Sequence, residues 1–267
     1  IMKALNESGL LNSTVVFFLS DHGMPLPFAK TQLYHHSTNT PLIVRWSGIT
    51  EPGSVNDSYM VSAIDLLPTF LSIAGIDYSD NSGPSGPRGM QGKSFLPVIK
   101  GSLKQPLSSA IFKEYNENSG GVRNPMRGVQ TAQYLYLFNP WSNGKRTMAT
   151  ATNGTATWKR MLALASENET IRKRVDVMRY RTVEELYDIN NDPDCLLNLA
   201  ESSDHQKIIK DLRQALHDWM KATGDHAITA FAGRNDPEKM ESYVKAVQAE
   251  SDLRRKNKRK KKRKSKA

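Results

Sequence analysis

The chain has 267 residues, 38% hydrophobic and 24% charged, enough apolar content to bury the core of one large domain or two small ones. Its formal charge of +10 invites a nucleic-acid reading, but 11 of the 37 Lys and Arg lie between Arg254 and Lys266, where no acid occurs. Residues 1–253 hold 26 basic against 27 acidic side chains, so the basic character belongs to the tail alone. A single cysteine, Cys195, excludes an internal disulfide and a four-cysteine zinc site, and no apolar run reaches membrane-spanning length.

The chain opens on Ile1, inside what reads as a helix with Ile1, Met2 and Leu5 on one side, and this suggests a fragment of a longer protein. Any targeting segment would lie before it. Val15 to Leu19 is an unbroken β-branched and aromatic run, read as a strand buried on both faces, as in a parallel sheet. The character then flips at once to Asp21-His22-Gly23. Ligands bind beyond the carboxyl ends of strands in open α/β sheets, so a carboxylate and an imidazole placed there are candidates for chemistry. Gly23 lets the backbone turn sharply and stay close to whatever they hold. A loop punctuated by Pro25 and Pro27 carries Lys30 and the pair His35-His36 before a second apolar strand, Pro41 to Trp46.

Downstream, Glu51–Ser58 is a polar connection and Val61–Ile76 a helix that Pro68 should kink or delay. Asp77–Gly92 reads as a surface loop and Gly92–Gly101 as a short helical segment. Ser109–Tyr115, Arg127–Gln130 and Tyr134–Phe138 read as strands, with an exposed loop over Asn116–Asn124. Trp158–Arg174 reads as one charged helix, and Glu184–Asp188 as a short strand before a tight turn at Asn190–Pro193. Asp204–Thr223 is the clearest amphipathic helix, with Ile208, Leu212, Leu216 and Trp219 in one stripe, Asp204 as cap and Gly224 as stop. From Asp236 aromatic residues nearly vanish, and the stretch 236–267 reads as a disordered basic tail open to polyanion contact, with nucleic acid not favoured.

Several ordered segments carry a resemblance: S-D-H-G-M-P-L-P-F-A-K-T-Q-L-Y, T-P-L-I-V-R-W, V-S-A-I-D-L-L-P-T-F-L-S-I-A-G-I, P-M-R-G-V-Q-T and E-L-Y-D-I-N-N-D-P-D-C-L-L-N-L-A. Over residues 1 to about 226 the chain resembles the C-terminal half of the type I sulfatases, most closely the heparan N-sulfatase branch. The resemblance implies an α/β fold of the sulfatase and alkaline-phosphatase kind. Residues 1–107 would be the C-terminal part of the large sheet domain, 108–235 a small antiparallel subdomain with a packed helix, and 236–267 the tail.

It implies hydrolysis of sulfate esters or sulfamates on sulfated sugars, with one calcium ion and a formylglycine nucleophile. Asp21 and His22 would hold the metal, Lys30 would contact the sulfuryl group, and His35 and Arg127 would approach the substrate. Arg127 has a second reading as a structural ion pair, and His35 and His36 as polar loop residues. The resemblance also implies a secreted, periplasmic or lysosomal setting, with no membrane contact and no particular oligomeric state.

This chain departs from the family pattern in three places. His22 stands where Asn is usual, which keeps zinc open beside calcium, since imidazole suits zinc better than a hard cation. His35-His36-Ser37 replaces the usual loop residues. The N-terminal aspartates and the C-x-P-S-R nucleophile motif do not occur, and Cys195, in D-P-D-C-L, cannot stand in, so the chain as given is not expected to be catalytically competent. Two other readings remain: a phosphoryl or phosphonate hydrolase of the same superfamily, and a non-catalytic protein that binds polyanions.

Overall fold

The β-branched runs and amphipathic stretches take shape in a computed structural model that describes residues 1–76, 90–103 and 108–264. In chain order the elements are α1 (Met2–Glu7), β1 (Val15–Leu19), α2 (His35–Thr38), β2 (Leu42–Trp46), α3 (Leu66–Ile73), α4 (Leu96–Ile99), β3 (Ile111–Glu117), β4 (Arg123–Gln130), β5 (Tyr134–Phe138), α5 (Ala156–Leu164), α6 (Glu169–Tyr180), β6 (Glu184–Asp188), α7 (Gln206–Thr223), α8 (Ile228–Ala232) and α9 (Pro237–Lys264). The surface loop expected over Asp77–Gly92 lies mostly outside the described residues, as does the last part of the tail. The chain divides into two compact units, Ile1–Asp21 with Thr40–Ile111, and His22–Asn39 with Phe112–Ala267. The second unit thus takes in the loop His22–Asn39 along with the chain from Phe112 onward.

In the first unit β1 and β2 pair antiparallel, from Val15 opposite Trp46 to Leu19 opposite Leu42. This corrects the reading of β1 as a strand of a parallel sheet buried on both faces. One face meets helices: the Phe17 ring lies edge-on to Phe70 at 5.0 Å and to Phe95 at 6.3 Å. The other presents the cross-strand pair Phe18 and Ile43, 62% and 58% exposed. A continuous apolar run states that both faces are apolar, not which of them is covered.

Pro68 delays the helix, as anticipated. A short 3₁₀ turn over Ala63–Asp65 precedes α3, and Pro68 falls in its first turn, where its missing N–H would have had no helical partner. Asp65 organises this corner: its carboxylate accepts from the Ser62 amide and from the Lys93 amide, each at 2.8 Å. Thr69 donates to the Asp65 carbonyl at 2.6 Å and accepts from the Phe95 amide at 3.0 Å. Gly92 completes the contact, because a Cβ there would come within 2.0 Å of the Ile64 carbonyl oxygen.

The second unit is built on a four-stranded sheet in the order β3-β4-β5-β6, with β4-β5 and β5-β6 antiparallel. Its core gathers Phe28, Leu33, Tyr34, Leu137, Trp141, Trp158 and Met178. β4 starts earlier than the sequence suggested, with Arg123, Asn124 and Met126 all buried. The single helix expected over Trp158–Arg174 is two, because Asn168 caps a fresh start by accepting from the Ile171 amide at 3.0 Å.

Helix α7 ends at Gly224 in the left-handed conformation, as expected, but buries Ile209, Leu212, Leu216 and Met220. Trp219 sits at the margin, stacked on Phe112 at 5.2 Å, and Asp204 lies in a 3₁₀ turn rather than capping. The tail expected to be disordered is helical through Lys264, and its first half belongs to the core. Met240, Val244, Val247 and Ser251, spaced at three and four residues, are buried. This sparse stripe is hidden in the sequence by the charged residues around it.

Replacing Asp65 with Ala should cost about 1–2 kcal/mol, read as a lower denaturant midpoint with unchanged slope. An unchanged midpoint would deny Asp65 its role in tying residues 62–65 to 92–95.

Candidate functional site

The candidate residues lie on the stretch after β1. Asp21 is exposed and ends the first unit's opening segment. His22 begins the loop of the second unit, its Nδ1 at 2.8 Å from the Gly23 carbonyl oxygen. A carbonyl can only accept, so Nδ1 carries a proton, which makes Nε2 the nitrogen that a neutral imidazole here would offer to a metal.

Gly23 is required for close approach, since a Cβ would fall 2.2 Å from the His36 carbonyl oxygen and 2.3 Å from that of Ala29. Its amide donates to the Ser37 carbonyl at 3.2 Å, closing the loop on itself. Lys30 stands between two side chains with left-handed backbone, Phe28 at φ 65° and Thr31 at φ 56°. For a bulky and a β-branched residue this is strain that the surroundings must hold. The Lys30 ammonium has no hydrogen-bond or ion-pair partner among the described residues.

The holding contacts are specific. The Phe28 ring is covered by the Arg174 guanidinium at 3.5 Å, and the Tyr34 ring by that of Arg181 at 4.3 Å. Arg181 also donates to the side chain of buried Gln32. The Tyr34 hydroxyl donates to Glu185 at 2.7 Å, and the same carboxylate accepts from Tyr187 at 2.7 Å and from Asn139 at 2.8 Å. Glu185 is 1% exposed, so each bond replaces water that the carboxylate has lost. Burial drives the phenols of Tyr34 and Tyr187 well above their ordinary range, so both stay donors.

His35 and His36 diverge. His36 Nε2 lies 2.7 Å from Asp194, an exposed pair of little energetic weight. His35 turns inward: Nε2 is 3.0 Å from the Asn39 amide nitrogen, and its buried Nδ1 has no hydrogen-bond partner among the described residues. Burial, followed by the nearby charges of Lys113 and His36, lowers the pKa of His35, which favours neutral imidazole.

Lys113, on β3, donates to Thr38 and to Gln130, each at 2.5 Å. Burial lowers its ammonium from the ordinary 10.5 to about 7, against an opposing pull from Cys195. The Cys195 thiol is itself buried and pushed up by that burial to about 11, away from the reactive thiolate range.

Arg127 takes the structural course. It is 1% exposed and grips Asp225 through Nε at 2.5 Å and Nη2 at 2.9 Å, while Nη1 donates to the carbonyls of Tyr115 and Met126. Burial raises the Asp225 carboxyl, but hydrogen bonds from Arg127 and the Ala227 amide overcome that and hold it below its usual range. Arg127 thus joins β4 to the start of α8.

Sequence reasoning passed over Lys113 and Glu185. Each left a trace: a lysine that shares one strand face with Ile111 and Tyr115 at a spacing of two, and two adjacent acids at the head of a strand, which point to opposite faces. Glu184 and Glu185 divide in that way, Glu184 pairing with Arg213 at 2.6 Å.

A carboxylate and an imidazole are ligand types that a divalent cation accepts only within a larger donor set. Among the described residues no three His, Cys, Asp or Glu side chains gather into a cage, and a calcium ion needs roughly six to eight oxygens.

Residues 21–143 match the family model described as N-sulphoglucosamine sulphohydrolase, C-terminal. The chain is 30% identical over 230 residues to an ulvan-active sulfatase of Formosa agariphila, covering 85% of this chain and 36% of that protein. It is 28% identical over 243 residues to the N-sulphoglucosamine sulphohydrolase of Homo sapiens, covering 87% of this chain and 46% of that one. A solved 2-O GAG sulfatase aligns with TM-score 0.60 at 23% identity, over 84% of this chain and 40% of its own. The fold is therefore the one seen in that solved sulfatase, and the chain is similar in sequence to these relatives. The chain spans 36% to 46% of the length of these curated relatives.

Lys113 supplies a test of the buried cluster. Folded, it releases its proton near pH 7, and unfolded near 10.5. Between these values the unfolded chain binds more protons, so this group makes stability rise with pH. Lys113→Met should flatten that rise in denaturant midpoints taken from about pH 7 to about pH 10. Parallel profiles would show that the ammonium is not enclosed.

Proposed function

We propose that the chain is the C-terminal part of a sulfohydrolase that cleaves sulfate esters or sulfamates on sulfated sugars such as glycosaminoglycans. The observation that carries this reading is that the segment matched by the N-sulphoglucosamine sulphohydrolase family model begins at Asp21 and contains the strained loop presenting His22 and Lys30.

Asp21 and the Nε2 of His22 are proposed as two donors to one divalent cation, calcium by the family expectation, with zinc the alternative that an imidazole favours. Such an ion, when bound, neutralises charge on the sulfuryl oxygens. Lys30 would add a fixed positive charge toward the same oxygens, held by the Phe28 and Thr31 backbone so that little reorganisation is needed as charge develops. Gly23 keeps the loop folded close behind these groups. The nucleophile is assigned to no residue of this chain.

The test is sulfate release from N-sulfated and 6-O-sulfated glucosamine by the protein purified from its source, beside the Lys30→Ala and Asp21→Asn variants. Lys30→Ala should lower kcat/KM by roughly 10²–10³-fold, and Asp21→Asn should lower bound metal along with activity. Turnover of phosphonate monoesters without sulfate release, with two zincs per chain, would replace this reading with the phosphonate-hydrolase one. Full sulfatase activity in Lys30→Ala would remove Lys30 from the site.

A further inference from the structure

Among the described residues, the end of α9 is a strongly basic element that the candidate site does not use. The middle of the helix is fixed: the Ser251 hydroxyl shares its one proton between Glu117 at 2.8 Å and the Gly121 carbonyl at 3.0 Å, and Arg254 donates to Glu117 at 2.7 Å. After Ser251 every residue through Lys258 is exposed, while the helical backbone continues to Lys264. The segment from Arg254 to Lys266 carries 11 Lys and Arg and no acid, on a chain otherwise close to neutral.

Cations suit the carboxyl end of a helix dipole, but like charges at i and i+4, such as Arg254 with Lys258, repel one another. An anionic partner would relieve that repulsion. Its chemistry is narrowed by what the segment lacks. No aromatic residue follows Tyr243, so nothing is available to stack unpaired bases. No apolar residue stands between Leu253 and Ala267, so the segment has no apolar face to insert into a lipid interface and could meet an anionic membrane through charge alone.

We propose that this basic helix end is a docking element for a sulfated polysaccharide, holding the polymer whose groups the candidate site would process. The choice of polymer rests on the proposed sulfohydrolase function. Tethering one stretch of a chain raises the effective concentration of its neighbouring residues, an advantage that a polymeric substrate gains and a monosaccharide does not.

The test compares the full chain with a variant ending at Arg255, which keeps the contacts to Glu117 and Gly121 and removes nine of the eleven basic residues. Binding to heparin, N- and O-desulfated heparin, a short duplex DNA and anionic vesicles is measured without turnover across a salt series. Heparin should bind the full chain tightest and lose about tenfold or more on truncation, with a shallower salt dependence. It should also raise the helical circular dichroism of the full chain alone. Equal heparin binding by the two chains, undiminished binding of desulfated heparin, or tighter binding of DNA or vesicles would each overturn the proposal. Sulfate release is scored separately, so a protein that hydrolyses sulfated sugars without a docking tail, or docks without hydrolysing, is recognised as such.

Discussion

The buried carboxylate of Glu185 is the contact on which the second unit's arrangement rests. Three neutral donors, from Tyr34, Tyr187 and Asn139, converge on it from the candidate loop, from its own strand and from the end of β5. An ionised group with almost no exposure is tolerable only when its lone pairs are filled, and leaving one empty costs more than the bond itself contributes. The arrangement is therefore cooperative. The loop from His22 to Asn39 stays folded because Glu185 needs the Tyr34 hydroxyl, and Tyr34 brings with it the burial of Phe28, Gln32 and Leu33 on the same loop.

That dependence explains how strained backbone survives at Phe28 and Thr31. Left-handed conformations at such residues cost on the order of 1–3 kcal/mol each, and the guanidinium of Arg174 over Phe28, together with the Thr31 contact to Thr150 at 2.8 Å, over-determines them. The same loop carries His22, whose imidazole is set in its tautomer by a neighbouring carbonyl. Rigid presentation of a charge is what electrostatic stabilisation of a developing anion requires.

Much of this was legible in the residues. Apolar strands such as Tyr134–Phe138, the Gly224 stop and the late start at Pro68 follow from local chemistry, and ordered segments carried a resemblance to the sulfatases. Pairing partners were less visible. The Val15–Leu19 run looks the same in a parallel or an antiparallel sheet, and only its register with Leu42–Trp46 distinguishes them. The Met240, Val244 and Val247 stripe was masked by charge density, so a helix that completes the core passed for a tail. In the candidate site the sequence marked Asp21, His22 and Lys30 but not the groups that position their loop, because a buried Glu and a buried Lys look like surface residues until a fold encloses them.

The measurement that bears most directly on this account is hydrogen exchange across residues 22–39 in the wild-type chain and in Tyr34→Phe, which deletes one hydroxyl and little volume. If Glu185 anchors the loop, amides there should exchange about tenfold faster or more, matching the loss of a hydrogen bond to a charged group, while α7 stays protected. Unchanged exchange in the loop would contradict the anchoring role and detach the placement of Lys30 from the core of the second unit.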